Sequence, residues 1–161
     1  MPRSRTDLTS IIARNTPRLA SGVSEPLVHF LVVARELCES DLDTLLVMMI
    51  IIQRANLHPD FPALDGQAVM EGRIDHLPML DVNTQSIADS THIPRETVRR
   101  KVAQLVELGW VVREGRNLRY TPEGYRAMEP ARAALVRMVA RIAETLDANL
   151  GDGLDASATR N

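Results

Sequence analysis

Cysteine, aromatic residues and long apolar runs are all scarce in this chain, and each shortage removes a class of protein. A single Cys cannot close an intrachain disulfide or build a cysteine zinc cluster. With aromatics at 3% of 161 residues, that composition points to a reducing, cytoplasmic setting. The longest apolar run, LLVMMIII from Leu45 to Ile52, is eight residues long. A bilayer crossing needs about 20, so this run reads as a buried helix segment and no membrane partner is expected. The opening MPRSRTDLTSIIARNTPRLASG scatters Arg and polar residues where a secretory leader would need a sustained apolar core.

Catalytic and metal-binding patterns are equally thin. His29, His58, His76 and His92 lack metal-ligand spacing. Gly66 and Gly72 form no phosphate-binding loop. Glu36, Glu39, Asp41 and Asp43 read as a local surface network, and Cys38 as a core residue on an apolar helical face. No enzyme, metal or cofactor is expected from these residues. Met48, Met49, Met70, Met79 and Met128 suit either core filling or the lining of a pocket for an unidentified small-molecule effector.

An apolar fraction of 45% permits a sizeable core. The net charge of -2 conceals an uneven distribution. Residues 25 to 83 hold three Arg against ten acids, whereas residues 94 to 119 hold seven basic residues against three acidic ones. Such a basic surface on an acidic body steers a polyanion to one face.

Residues 1 to 24 read as a flexible basic arm, and residues 25 to 77 as a helical body with its connecting segment. Leu27, Phe30, Leu31, Ala34, Leu37 and Cys38 recur at helical spacing. Ser40 and Asp43 resemble a capping box opening a second helix, which HPDFP stops. That helix is apolar almost all round, so a second subunit is a reasonable source of cover. The connection from 58 to 77 is unusually long, with one helical turn expected at Gln67 to Glu71. Residues 123 to 148 read as a C-terminal packing or dimerisation helix, striped by Ala131, Leu135, Met138, Ile142 and Leu146. The tail 149 to 161 is expected to be disordered. Leu27, Leu31, Leu135, Met138, Ile142 and Leu146 are the candidates for a homodimer interface.

Residues 78 to 122 carry the constellation that bears on function. Pro78 to Val82 suits a short strand, and TQSIADST a compact helix capped by Asn83 or Thr84. A tight HIP connection follows, then a longer helix from Arg95 with Val98, Val102, Leu105, Val106 and Leu108 inward and Gly109 as its stop. WVVREGRNLRYT then reads as an antiparallel hairpin carrying Arg113, Arg116 and Arg119. A helix, a turn, a helix and a cationic wing form the geometry that inserts a helix in a major groove while anchoring the flanking phosphates.

These residues resemble the winged helix-turn-helix of bacterial transcriptional regulators. PRETVRR, Pro94 to Arg100, is similar to the start of the recognition helix in the catabolite-activator and fumarate-nitrate regulator superfamily, which implies base contacts at Arg95, Glu96 and Arg100. LVELGWVVREG looks like the helix-to-wing passage of winged-helix repressors, among them the multiple-antibiotic-resistance regulator family. The chain departs from the first group in lacking a Gly-rich β-roll and in placing the motif before a long helix. Its overall plan is closer to the second type, whose terminal helices join the dimer. The implied fold is mainly α with a small β wing, a winged helix-turn-helix flanked by N-terminal and C-terminal dimerisation helices.

The chemistry of the side chains supports the same assignment independently. Arg95 and Arg100 can each donate two hydrogen bonds to guanine, a contact worth about 1 to 3 kcal/mol in discrimination. Glu96 can accept from cytosine or hold a neighbouring Arg, and Thr97 completes the base-reading set. Arg99, Lys101, Gln104, Arg113, Arg116 and Arg119 are candidates for the DNA backbone and wing contacts, with Thr84, Gln85 and Ser86 at the first helix's N-terminus. The expected partner is double-stranded DNA with a pseudo-palindromic operator, bound by a homodimer. The competing reading is a winged-helix protein-interaction or assembly module without specific DNA recognition.

Overall fold

A computed structural model describes the backbone of residues 5–156 and the side chains of residues 9–149. The fold is mainly α with one two-stranded antiparallel sheet, of winged-helix type. Seven α-helices are described: α1 Arg5–Leu37, α2 Leu42–Asn56, α3 Gly66–Met70, α4 Thr84–Thr91, α5 Arg95–Glu107, α6 Pro122–Ala127 and α7 Glu129–Ala156. Strands β1 Val111–Glu114 and β2 Asn117–Tyr120 lie between α5 and α6. The chain divides into two compact units, Ala34–Pro130 on the one hand and Met1–Val33 with Ala131–Asn161 on the other.

The second of these units is built from parts of the two longest helices. Where the sequence suggested a mobile arm over residues 1 to 24, the chain is helical from Arg5 onward, and the first four residues lie outside the described ones. Two prolines sit inside α1, and each removes an N–H from the helical ladder. The carbonyl of Ala13, freed by Pro17, instead accepts from the Thr16 hydroxyl at 3.0 Å. The carbonyl of Gly22, freed by Pro26, faces the Thr145 hydroxyl of α7 at 3.5 Å. A Cβ at Gly22 would collide with the Thr145 side chain, so this crossing requires a glycine. Leu19 and Phe30 are buried on α1, as are Ala131 and Ala134 on α7. At the other end α7 continues to Ala156, so most of the expected tail from 149 is helical, and residues 157–161 lie outside the described ones.

In the unit Ala34–Pro130, α2 is the central post, packed against α4, α5 and β2. Leu45, Val47, Met48 and Ile51 of α2 are wholly buried, as are Ile87, Val98, Val102, Leu105, Val111 and Leu118 from the elements around it. The cap of α2 is Asp41, whose side chain accepts from Thr44 N at 2.7 Å; the expected Ser40–Asp43 box does not form because Ser40 is left-handed. The long connection after α2 is partly helical. It holds a 3₁₀ turn, Phe61–Ala63, and then α3, which packs on α6. Arg126 of α6 donates to the carbonyl of Val69 at 2.9 Å, tying this excursion down. Residues 78 to 82 form no ladder: Leu118 N donates to Val82 O, and Tyr120 N turns instead to the sulfur of Met79.

The motif itself follows from local rules. Asn83 caps α4 reciprocally with Ser86. His92 closes the helix in the left-handed region at φ 58. α5 ends in a Schellman arrangement, with Trp110 N bonded to Leu105 O and Gly109 N to Val106 O. The hairpin pairs Val111 with Tyr120 and Glu114 with Asn117 around a two-residue turn. Gly115 occupies the first turn position at φ 59, as such a tight connection requires.

Candidate nucleic-acid interface

Helix α5 is held by one face. Val98, Val102 and Leu105 are fully buried and lie on a single stripe at helical spacing. Arg95, Glu96, Arg99, Arg100 and Gln104 are exposed, and Thr97 is half-buried. Glu96 holds Arg99 at 2.9 Å, one turn away on the same helix. Arg95 and Arg100 make no hydrogen bond or ion pair among the described residues, so their donors remain available. The hairpin repeats this division. Arg113 and Arg116 are exposed and unpaired among the described residues, whereas Arg119 is engaged by Glu114 at 2.8 Å and by Asp81 at 2.9 Å. The Glu114 bond, more than the Asp81 one, raises the Arg119 pKa. Cross-strand register explains the split: Glu114 and Arg119 share the face away from buried Leu118 and Tyr120, whereas Arg113 lies opposite Leu118.

Lys101 departs most from its expected place among the phosphate contacts. It is 8% exposed, on the buried flank of α5, and its Nζ donates to Asp41 Oδ2 at 2.8 Å. An amine so placed is not free to reach a phosphate. The polar residues opening α4 are also largely engaged. Ser86 Oγ accepts from Asn83 N at 3.1 Å and donates to Asn83 O at 2.9 Å, while Gln85 bonds Asp89 at 2.8 Å. Thr84 is half-buried.

The six expected interface residues separate by exposure. Leu27, Leu31 and Leu135 are about two-fifths exposed, while Met138, Ile142 and Leu146 are half-buried. The exposed apolar residues of these helices also include Val28, Val32, Val136 and Val139, which the stripe pattern missed. Their signal was present as adjacent apolar pairs, Leu27-Val28 and Leu135-Val136, too wide for a single buried stripe.

Two hollows lie within the unit Ala34–Pro130. A cleft of about 730 Å³ is bounded by His58, His76, Met79, Arg119, Tyr120 and Arg126, among others. A smaller one of about 320 Å³ lies beside Cys38, Asp41, Lys101, Gln104 and Trp110. The five methionines do not converge on either: Met48 and Met128 are core, Met49 and Met70 are on the surface, and Met79 alone borders the larger cleft. Burial, and secondarily the Asp41 charge, push the Cys38 thiol up to about 11, so it stays protonated at neutral pH. Among the described residues, no group of three His, Cys, Asp or Glu side chains is gathered for a metal. None of the described helices is long and apolar enough to cross a membrane.

No protein-family model and no curated protein matches this sequence. A solved chain from Pseudomonas aeruginosa PA01, whose name assigns it provisionally to transcriptional regulation, is similar at 13% identity and a TM-score of 0.43, over 98% of this chain and all of that one.

Proposed function

We propose that this chain is a sequence-specific double-stranded DNA-binding transcriptional regulator that acts as a homodimer on a pseudo-palindromic site. The observation that carries the reading is the division of α5 into a buried apolar stripe and an outward face with two arginines, Arg95 and Arg100, that are unpaired among the described residues. A helix seated this way offers bidentate donors to base edges in the major groove. Glu96 and Thr97 flank them. Arg113 and Arg116 supply the wing's charge for phosphate or minor-groove contact, while Arg99, Gln104 and Thr84 serve the periphery. Lys101, Arg119, Gln85 and Ser86 are left out of the DNA-facing set because their polar groups are engaged within the protein.

Leu27, Val28, Leu31 and Val32 of α1 and Leu135, Val136 and Val139 of α7 make an apolar exposure suited to a second copy. Two reading helices would then meet successive major grooves roughly 34 Å apart.

Selection from a randomised duplex library at physiological salt, with wild type beside an Arg95→Ala/Arg100→Ala variant, tests the reading. A palindromic motif enriched by wild type and lost in the variant is the expected result. The absence of any enrichment would overturn it in favour of a protein-interaction module.

A further inference from the structure

Lys101 is the only lysine in a chain with eighteen arginines, and it is buried where those charges are mostly on the surface. Its partner, sixty residues earlier, is the carboxylate that caps α2. Asp41 uses its two oxygens separately: Oδ1 accepts from Thr44 N at 2.7 Å, and Oδ2 accepts from Lys101 Nζ at 2.8 Å. The corner presenting this carboxylate is itself fixed. Glu39 and Ser40 are both left-handed, at φ 54 and 63. Arg35 Nε donates to Ser40 O at 3.0 Å, and Ser40 N returns a bond to Arg35 O at 3.0 Å.

The other restraints on α5 are of a different kind. Val98, Val102 and Leu105 hold it by apolar packing, which is non-directional. Its N-cap residue, Pro94, makes no side-chain cap. Arg99 bonds only within the helix. Among the described side-chain bonds of α5, Lys101 to Asp41 alone reaches another element. A slim ammonium suits this place, since it needs one carboxylate oxygen and not the planar fork of an arginine.

On the DNA-binding reading above, we propose that the Asp41–Lys101 bridge is a positioning device, which sets the rotation of α5 so that Arg95 and the adjacent Arg100 meet base edges. Bidentate recognition tolerates only about 0.5 Å and 10–20° of misplacement. A short directional bond one residue beyond Arg100 adds an orientation-specific restraint to the non-directional packing of Val98, Val102 and Leu105. Asp41 and Lys101 therefore act through Arg95 and Arg100 and touch no DNA.

The test compares wild type with Asp41→Asn and Lys101→Met, at a temperature where circular dichroism shows all three folded. Asparagine caps a helix as well as aspartate, so the first variant removes the bridge and keeps the cap. Methionine keeps the buried stem of Lys101. Each is assayed by library selection and by titration of the wild-type motif and a scrambled duplex across a salt series. Both variants are expected to lose at least about tenfold on the motif while staying within about twofold on the scrambled duplex, with an unchanged salt slope. The single lysine supplies an independent readout: acylation of its amine is slow in wild type and fast in Asp41→Asn. Equal losses on both duplexes, or retention of the wild-type preference, would overturn the positioning role alone. A salt slope reduced by about 0.9 in Lys101→Met would make Lys101 a phosphate contact instead. If wild type enriches no sequence, the DNA reading fails first and the positioning role falls with it.

Discussion

Helices α4 and α5 belong to one motif, yet they treat their polar side chains in opposite ways. α4 spends them on itself: Asn83 and Ser86 satisfy its first turn, Gln85 bonds Asp89, and Ser90 and Thr91 bond backward to the carbonyls of Ser86 and Ile87. α5 leaves Arg95 and Arg100 unspent and begins without a side-chain cap. On the proposed DNA-binding reading, the difference separates a supporting helix, whose hydrogen-bond account is largely closed, from a reading helix with surplus donors for a partner outside the chain.

Removing the surplus should give the largest effect. Arg95→Ala with Arg100→Ala is expected to cost the preferred duplex roughly 100-fold or more in affinity, since each bidentate pair is worth about 1 to 3 kcal/mol. Melting temperature should stay within about 2 °C, because neither residue has a partner to lose among the described residues. Fluorescence anisotropy and differential scanning calorimetry on the same samples decide it. A variant that melts much earlier would show the two arginines to be structural. Opening the closed account should do the reverse: Asn83→Ala is expected to cost about 1 kcal/mol of stability and leave DNA affinity unchanged well below the melting temperature. Chemical denaturation with an unchanged midpoint would contradict the role assigned to that cap.

The part of this division legible from sequence was the part set by short-range rules. Apolar spacing placed Val98, Val102 and Leu105 inward, and Gly109 marked the end of α5, because both depend on residues within a turn of each other; it also put Val106 and Leu108 inward, but Val106 is half-buried and Leu108 exposed, where the helix ends. The exposure of Arg95 and Arg100 came from the same pattern. Lys101 was misplaced although its spacing, three residues after Val98 and four before Leu105, puts it on the inward stripe; what periodicity does not carry is its partner, Asp41, sixty residues away. Arg119 was placed among the wing contacts for a similar reason, since Asp81 approaches it from outside the hairpin. The N-terminal region read as a flexible arm to residue 24, whereas α1 runs through both Pro17 and Pro26. The helix persists where Thr16 and Thr145 stand near the carbonyls those prolines free, and Thr145 is more than a hundred residues away.

Acid should dissolve the link between α2 and α5 only well below the usual carboxylate range. The hydrogen bond from Lys101, with that from Thr44 N, lowers the Asp41 carboxyl from 3.8 to about 2. A depressed folded-state pKa means the stabilisation is complete above pH 3.8 and is lost as pH falls through 2. The Asp41 side chain is 38% exposed, so after solvent screening the contribution is about 1 kcal/mol. Between pH 5 and pH 2, wild type should therefore lose more stability than Lys101→Met, by at most that amount because the Thr44 N bond persists in the variant, as read by urea denaturation at each pH. Identical pH profiles would show that the pair contributes nothing measurable.

The smallest effect concerns the turn that separates the two helices. His92 is left-handed at φ 58, and its N–H bonds Ala88 O at 2.8 Å. A left-handed backbone costs a non-glycine residue about 1 to 2 kcal/mol, and glycine removes that cost while adding about 0.5 to 1 kcal/mol of chain entropy to the unfolded state. His92→Gly should thus stabilise the protein by about 0.5 kcal/mol, read as a raised denaturation midpoint at unchanged slope. The imidazole is exposed at the junction of the two helices, so the substitution also asks whether the turn belongs to the support or to the reading surface. A stabilised variant with wild-type affinity for the preferred duplex places His92 with α4. A stabilised variant that loses affinity assigns its side chain to the outward face with Arg95, and moves the division between the two helices back by three residues.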